Sequence, residues 1–281
     1  FGTDRSCLFI NMNNFYFSGH SIVDFAYEFQ RRGGKVLLID QVFKYDGWSK
    51  ELRMCYDRFP GLKIVFTGSS VMRLKEENLE LRDIVKSYNL RGFSFREFLN
   101  LQTGMKFKAY TLDEILRNHE QIAKGVLSKV KPLDYFQDYL HHGFYPFFLE
   151  KRNFSENLLK TMNMMVEVDI LLIKQIELKY LSKIKKLLYL LAVGGPKAPN
   201  VSQLASDIQT SRATVMNYIK YLADSRLINM VYPEGEEFPK KPCKIMLHNT
   251  NLMYSIYPLK IEDQDVLETF FVNSLWKDHK V

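Results

Sequence analysis

The stretch "KVLLIDQVFKYDGW", from Lys35 to Trp48, decides the fold of the first part of the chain. Residues 36–39 form a continuous apolar run that ends at Asp40, and a glycine pair precedes the stretch. A short apolar run bounded by turn residues is typical of a strand that is buried on both faces. We therefore predict a buried strand over residues 35–39, with the carboxylate of Asp40 at its carboxyl end.

Two further apolar runs flank this strand in the sequence, "CLFI" at residues 7–10 and "KIVFTG" at residues 63–68. Segments with helical spacing of apolar residues, 21–32 and 48–59, separate the three runs. Alternation of strands and helices predicts an α/β fold with a parallel sheet. Ligands bind such sheets outside the carboxyl ends of the strands, so we expect Asp40 and Thr67 to share one edge.

The remainder of the chain divides into segments that differ in their predicted secondary structure. Residues 93–181 are helical in pattern, and from Ser182 three helical patterns precede two short strands, "INMVY" and "CKIMLHN". This order is typical of a winged helix-turn-helix. We predict an α/β core at 1–92, a helical lid at 93–181, a winged helix at 182–257 and the start of another domain at 258–281.

Composition indicates a globular protein, since 46% of the 281 residues are hydrophobic and 25% are charged. The formal net charge of +7 favours an anionic partner such as a nucleotide or nucleic acid. The three cysteines have neither metal-ligand nor disulfide spacing, and no apolar run is long enough to span a membrane. These features predict a cytoplasmic protein.

Asp40 and the segment Thr67-Gly68-Ser69-Ser70 form a workable site for a nucleotide with Mg²⁺. A carboxylate at this position holds Mg²⁺ through water, and the residue after it usually orients the attacking water. That residue is Gln41. A strand that ends in Asp is common in α/β proteins, so the alternative that Asp40 has only a structural role stays open. The chain also lacks the GxxxxGK[ST] phosphate-binding pattern.

Three longer segments carry a family resemblance: "GGKVLLIDQVFKYDGWSKELRMCYDRFPGLKIVFTGSSV", "YNLRGFSFREFLNL" and "YLHHGFYPFFLE". They resemble a prokaryotic family of AAA+-type P-loop ATPases whose members carry a DUF4143-type C-terminal region. The resemblance implies a P-loop NTPase-like (AAA+) core that binds ATP and Mg²⁺, with the phosphate loop upstream of Phe1.

The same resemblance implies roles for individual residues. Residues 35–40 become the metal-binding strand with Asp40 as the Mg²⁺ ligand, while Thr67 and Ser69 lie where terminal phosphate is sensed. Arg82 or Arg91 would be the arginine that contacts nucleotide. Gln41 stands where the family has a catalytic Glu. Since Gln cannot accept a proton, this departure implies slow or absent hydrolysis with metal binding retained.

The predicted winged helix offers a second interface. Its third helix presents Arg212, Thr214 and Asn217 near its start, and residues 182–227 carry seven basic and two acidic side chains. Such side chains contact phosphates and base edges of DNA. The segment between the two strands is acidic at Glu234, Glu236 and Glu237, however, and would repel a phosphate backbone. A protein partner is the alternative.

Two hypotheses follow for the function. In the first, the chain is an ATP-dependent switch in which bound nucleotide controls the winged helix. In the second, it is a non-enzymatic scaffold of the same fold that binds DNA or a protein partner through the winged helix.

Overall fold

The computed structural model describes residues 5–68, 80–88, 90–150, 153–170, 176–259 and 261–275. The chain forms two compact units, Phe1–Asn89 (unit 1) and Leu90–Val281 (unit 2). The finer division into four parts stays a prediction.

Unit 1 is built on a parallel sheet of three strands, in which β2 lies between β1 and β3. The strands are β1 (Cys7–Asn11), β2 (Val36–Asp40) and β3 (Lys63–Phe66). The predicted α/β fold with a parallel sheet is therefore confirmed for this unit. The expected burial on both faces of the sheet is wrong, because Val36 and Leu38 of β2 are only partly buried and Leu8, Phe9 and Val65 are 37%, 61% and 46% exposed. The register places Asn11 beside Asp40, and Ile39 beside Phe66.

Two helices supply the core of unit 1, α1 (Ile22–Arg31) and α2 (Trp48–Arg58). Ser21 begins α1 as its N-cap, because its hydroxyl accepts the Asp24 amide. The inward residues of both helices form one cluster with Leu37 and Ile39 of the central strand, which are 0% and 1% exposed. This packing fixes β2, and therefore Asp40, in place.

Unit 2 is mostly helical. Its helices are α3 (Phe95–Thr103), α4 (Leu112–Leu127), α5 (Leu133–Asp138), α6 (Phe154–Met164), α7 (Leu181–Gly194), α8 (Val201–Asp207), α9 (Arg212–Asp224), α10 (Thr250–Ile256) and α11 (Asp263–Leu275). One antiparallel pair of strands, β4 (Ile228–Val231) and β5 (Lys244–Leu247), follows α9. Short π-helical segments, Tyr139–Gly143 and Met165–Ile170, continue α5 and α6.

A single apolar cluster runs through unit 2, from Phe98 on α3 to Val266 on α11. A buried polar contact reinforces it. Asn251, which is 0% exposed, accepts the Phe144 amide and donates to the carbonyls of Tyr139 and Leu140. Carbonyls near the end of a helical run lack intrahelical partners, so Asn251 supplies what the π-helical segment cannot. Neither α10 nor this contact was predicted from the sequence.

None of the helices in the described ranges is both long enough and apolar enough to cross a membrane.

Candidate functional site

Three polar side chains meet at the carboxyl edge of the sheet in unit 1, one from each strand end. The Asn11 amide donates to Oδ2 of Asp40 at 2.8 Å, and the Thr67 hydroxyl donates to Oδ1 at 2.6 Å. Asp40 is partly buried while Thr67 is exposed, so the group faces solvent on one side. Both carboxylate oxygens are therefore held, and the carboxylate points along a fixed direction.

The backbone around this group is tied to the sheet. The Met12 amide donates to the Asp40 carbonyl at 3.0 Å, and the Thr67 amide donates to the Ile39 carbonyl at 2.8 Å. The Val42 amide in turn donates to the Thr67 carbonyl at 3.0 Å. These bonds continue the parallel ladder beyond the last strand residues, so the polar edge has the rigidity of the sheet itself.

Gln41 has an unusual backbone, with φ of 56° and ψ of 38°, in the left-handed region. This conformation is less stable by roughly 1–2 kcal/mol for a residue with a Cβ, because Cβ approaches the following carbonyl oxygen. The buried residues Val42 and Phe43 come directly after Gln41 and anchor the loop from the other side. Strain that neighbours impose in this way is concentrated at functional sites in proteins.

Glu51 on α2 secures the far end of this loop. Its Oε1 accepts the Tyr45 hydroxyl at 2.7 Å, and its Oε2 accepts the amides of Ile22 and Val23 at 2.6 Å and 3.1 Å. Burial, followed by the hydrogen bond to Glu51, raises the pKa of Tyr45 to about 12. The tyrosine therefore stays a neutral donor at any physiological pH, and the loop after Gln41 has two fixed ends.

The structure places two of the predicted nucleotide-binding residues together, while another lies outside the described residues. Asp40 and Thr67 lie together, as their positions at neighbouring strand ends suggested. Ser69 lies outside the described residues. Arg82 is exposed after that gap, whereas the described partners of the Asp40 carboxylate are Asn11 and Thr67. A nucleotide contact by Arg82 stays a prediction.

Asn11 is the site residue that the sequence analysis missed. The first strand was predicted to end at Ile10, one residue too early, so its polar end was not compared with Asp40. The signal was present, because a polar residue directly after an apolar strand of a parallel sheet lies at the ligand-binding edge.

The second candidate interface lies at the start of α9. Ser211 is its N-cap and accepts the Thr214 amide at 3.1 Å, and the two hydroxyls lie 2.8 Å apart. Arg212 and Asn217 are exposed. Thr214 therefore takes part in capping its own helix, which leaves Arg212 and Asn217 as the more accessible of the three predicted DNA contacts.

Five of the seven basic side chains counted in residues 182–227 bind other groups of unit 2. Lys183 and Lys186 donate to the carbonyls of Gln209 and Asp207, where cations stabilise the C-terminal end of α8. The other three pair with Glu167, Asp224 and the Leu90 carbonyl, through Lys185, Lys220 and Arg226 respectively. Two of the seven positive charges, those of Lys185 and Lys220, are therefore neutralised by acidic side chains, whereas the bonds to neutral carbonyls leave the other three charges in place.

Comparison with known families adds to this geometry. Residues 2–99 match a family described as "AAA domain". Residues 133–260 match a family described as "Domain of unknown function (DUF8612)", where the resemblance had implied a DUF4143-type region.

One relative is an uncharacterized protein, MJ1637, from Methanocaldococcus jannaschii. It is 31% identical over 208 residues, which cover 71% of this chain and 43% of the relative. The chain thus spans less than half the length of that protein. Together with the parallel sheet, the match at residues 2–99 indicates a nucleotide-binding domain of the AAA type.

Proposed function

We propose that the chain is a nucleotide-dependent switch that binds ATP with Mg²⁺ at the carboxyl edge of the sheet in unit 1. The observation that carries the proposal is the convergence of Asn11, Asp40 and Thr67 at that edge. Open α/β sheets bind ligands at this position, and the domain match in the same residues supports a nucleotide as the ligand.

Asp40 fits the role of a Mg²⁺ ligand. Mg²⁺ usually binds one or two carboxylates and substrate phosphates, and keeps several of its waters. The described residues contain no group of three or more His, Cys, Asp or Glu side chains that would suit a protein-enclosed metal. A Mg²⁺ ion that arrives bound to a nucleotide needs one oriented carboxylate at an open edge of the sheet, and Asp40 provides it. Bound there, Mg²⁺ would neutralise charge on the phosphates.

Thr67 fits the role of a phosphate sensor. Its hydroxyl is exposed on one side and donates to Asp40 on the other. A hydroxyl can rotate and has one proton to donate, so a bond to phosphate would be made at the expense of the bond to Asp40. A hydrogen bond from Thr67 to the terminal phosphate would therefore break the one from Thr67 to Asp40. This exchange would couple the presence of the terminal phosphate to the contact between the ends of β2 and β3.

Slow hydrolysis is part of the proposal, and Gln41 is its basis. An amide can orient a water molecule by hydrogen bonding but has no carboxylate with which to accept the proton. The left-handed backbone of Gln41 is fixed between β2 and a buried segment. We therefore assign Gln41 a water-positioning role with little general-base capacity, which suits a switch better than a fast motor.

The test is equilibrium binding of ATP to the full native polypeptide with and without Mg²⁺. Asp40→Asn keeps the shape of the side chain and removes its charge, so Mg²⁺-dependent binding should be lost. Asp46→Asn is the matched control, since Asp46 is an exposed acid six residues further along the chain. Equal Mg²⁺ dependence in both variants would refute the assignment, and no binding by the native polypeptide would favour the non-enzymatic scaffold.

For unit 2 we infer a winged helix formed by α7, α8, α9, β4 and β5, with Arg212, Thr214 and Asn217 as the proposed DNA contacts. A protein partner is the second candidate. The ion pairs of Lys185 with Glu167 and of Lys220 with Asp224 favour it, because they neutralise two of the seven positive charges in residues 182–227.

The acidic segment between β4 and β5 favours a protein partner as well. Glu236 is paired with Lys240 at 3.0 Å, while Glu234 and Glu237 are exposed. Fluorescence anisotropy with duplex DNA at low and moderate salt separates the two candidates. DNA binding should weaken steeply as salt rises, and no binding at low salt would leave the protein partner.

A further inference from the structure

We propose that Asn11 is a positioning residue for the metal-binding carboxylate, a role that rests on the proposed function of Asp40. The two residues are opposite each other in the register of β1 and β2. The Asn11 amide nitrogen lies 2.8 Å from Oδ2 of Asp40. A carboxylate rotates easily about its terminal bond, so a fixed donor on one oxygen determines where the other oxygen points.

The orientation of the Asn11 amide is itself determined. Its Oδ1 accepts the backbone amide of Asn13 at 2.8 Å. A backbone N–H can only donate, so the atom facing Asn13 must be the oxygen and the atom facing Asp40 must be the nitrogen. Asn11 therefore acts as a donor to Asp40, and the turn after β1 holds it in that role.

The two donors to Asp40 differ in freedom. The Asn11 amide is planar and bound on both sides, at Asn13 and at Asp40. The Thr67 hydroxyl is exposed and rotates about a single bond. We assign Asn11 as the permanent anchor of Oδ2 and Thr67 as the exchangeable partner of Oδ1. In this assignment Oδ1 is the oxygen that becomes available to a metal or its bound water when Thr67 turns to phosphate.

Two substitutions remove the anchor in different ways. Asn11→Ala removes the amide and its volume, and Asn11→Leu removes the amide while keeping a similar volume. Each should raise the Mg²⁺ concentration needed for half-maximal ATP binding by roughly three- to tenfold, the effect of one charge-assisted hydrogen bond that solvent partly reaches. Binding of ATP measured without Mg²⁺ should stay at the native level, because Asn11 acts through Asp40 alone.

Asn14→Ala is the matched control. Asn14 lies in the same turn and its Oδ1 accepts the Tyr16 amide at 2.9 Å. Among the described residues, the hydrogen-bond donors to the Asp40 carboxylate are Asn11 and Thr67, and not Asn14. Its loss disturbs the turn without touching the carboxylate. The thermal unfolding midpoint of each variant, measured in parallel, separates a folding defect from a metal-specific effect.

The outcomes are distinct. A selective loss of Mg²⁺ dependence in both Asn11 variants, with Asn14→Ala unchanged, supports the positioning role. Native Mg²⁺ dependence in a folded Asn11→Ala or Asn11→Leu variant overturns that role and leaves the proposed function standing. Absence of Mg²⁺-dependent binding in the native polypeptide overturns the proposed function, and the role of Asn11 with it.

Discussion

Acid should destabilise unit 2 through His248, which lies between β5 and α10. Its ring contacts Phe144 with centroids 5.7 Å apart, and the Asn249 amide lies 3.4 Å from its Nδ1. Burial, followed by the positive charges of Arg226 and Arg91, lowers the pKa of His248 from 6.5 to about 3. The imidazole is therefore neutral in the folded protein across the physiological range.

The direction of the stability change with pH follows from proton binding at His248 in the folded and unfolded states. Below pH 6.5 the unfolded chain binds a proton at His248, while the folded chain stays unprotonated until about pH 3. Stability is therefore complete above the unfolded pKa and is lost as pH falls through this window. Between pH 7.5 and pH 5.0 the loss amounts to about 2 kcal/mol. This is an upper figure, because part of the residue still reaches solvent.

The assay is thermal unfolding followed by circular dichroism at both pH values, for the native protein and for His248→Phe. The phenylalanine keeps a ring against Phe144 and removes the titration. The native protein should lose about 4–8 °C more than the variant on acidification, from the scaling for a unit of this size. His119→Gln is the control, since His119 is exposed on α4, and it should follow the native protein. Equal losses in the native protein and His248→Phe would refute the reasoning.

Three further predictions concern single side chains. Gln41→Glu introduces a general base and should raise ATP turnover by roughly 10²-fold, with ATP affinity unchanged. Steady-state kinetics measure the turnover, and a variant that binds ATP but does not hydrolyse it would mean that Gln41 does not limit hydrolysis. Asn251→Leu removes the Asn251 partner of the Phe144 amide and the Tyr139 carbonyl, while the Leu140 carbonyl keeps the Thr250 hydroxyl. The substitution should cost about 2 kcal/mol or more of unfolding free energy, against less than about 0.5 kcal/mol for the exposed control Asn217→Ala. Equal urea midpoints for the two variants would contradict this. If unit 2 binds DNA, Arg212→Ala should weaken binding and reduce the slope of log affinity against log salt by about one; an unchanged slope would exclude a phosphate contact by Arg212.

The sheet of unit 1 was predictable from the sequence because each strand is a short apolar run with a helical pattern between it and the next. The parallel arrangement then brought Asp40 and Thr67 to one edge by topology alone. Asn11 was missed for a local reason, since the end of a strand is the least certain part of any such prediction. One residue of error was enough to hide a member of the site.

Helix α10 was missed for a different reason. In the segment "HNTNLMYSIY", residues 248–257, His248 is followed by Asn249, Thr250 and Asn251, which are residue types common in turns. In the structure Asn249 is the N-cap, and Thr250 and Asn251 are buried at 3% and 0% exposure. Their partners are backbone groups more than one hundred positions earlier in the chain. Contacts at that separation leave no trace in local periodicity.

The central claim is that Asp40 marks the metal end of a nucleotide site. The most direct measurement is a crystal structure of the full native polypeptide with Mn²⁺ and a non-hydrolysable ATP analogue, in which anomalous scattering locates the metal. Our account predicts a metal within one bridging water of the Asp40 carboxylate, with the terminal phosphate at the Thr67 hydroxyl. A bound nucleotide whose metal lies away from the ends of β1, β2 and β3 would contradict it.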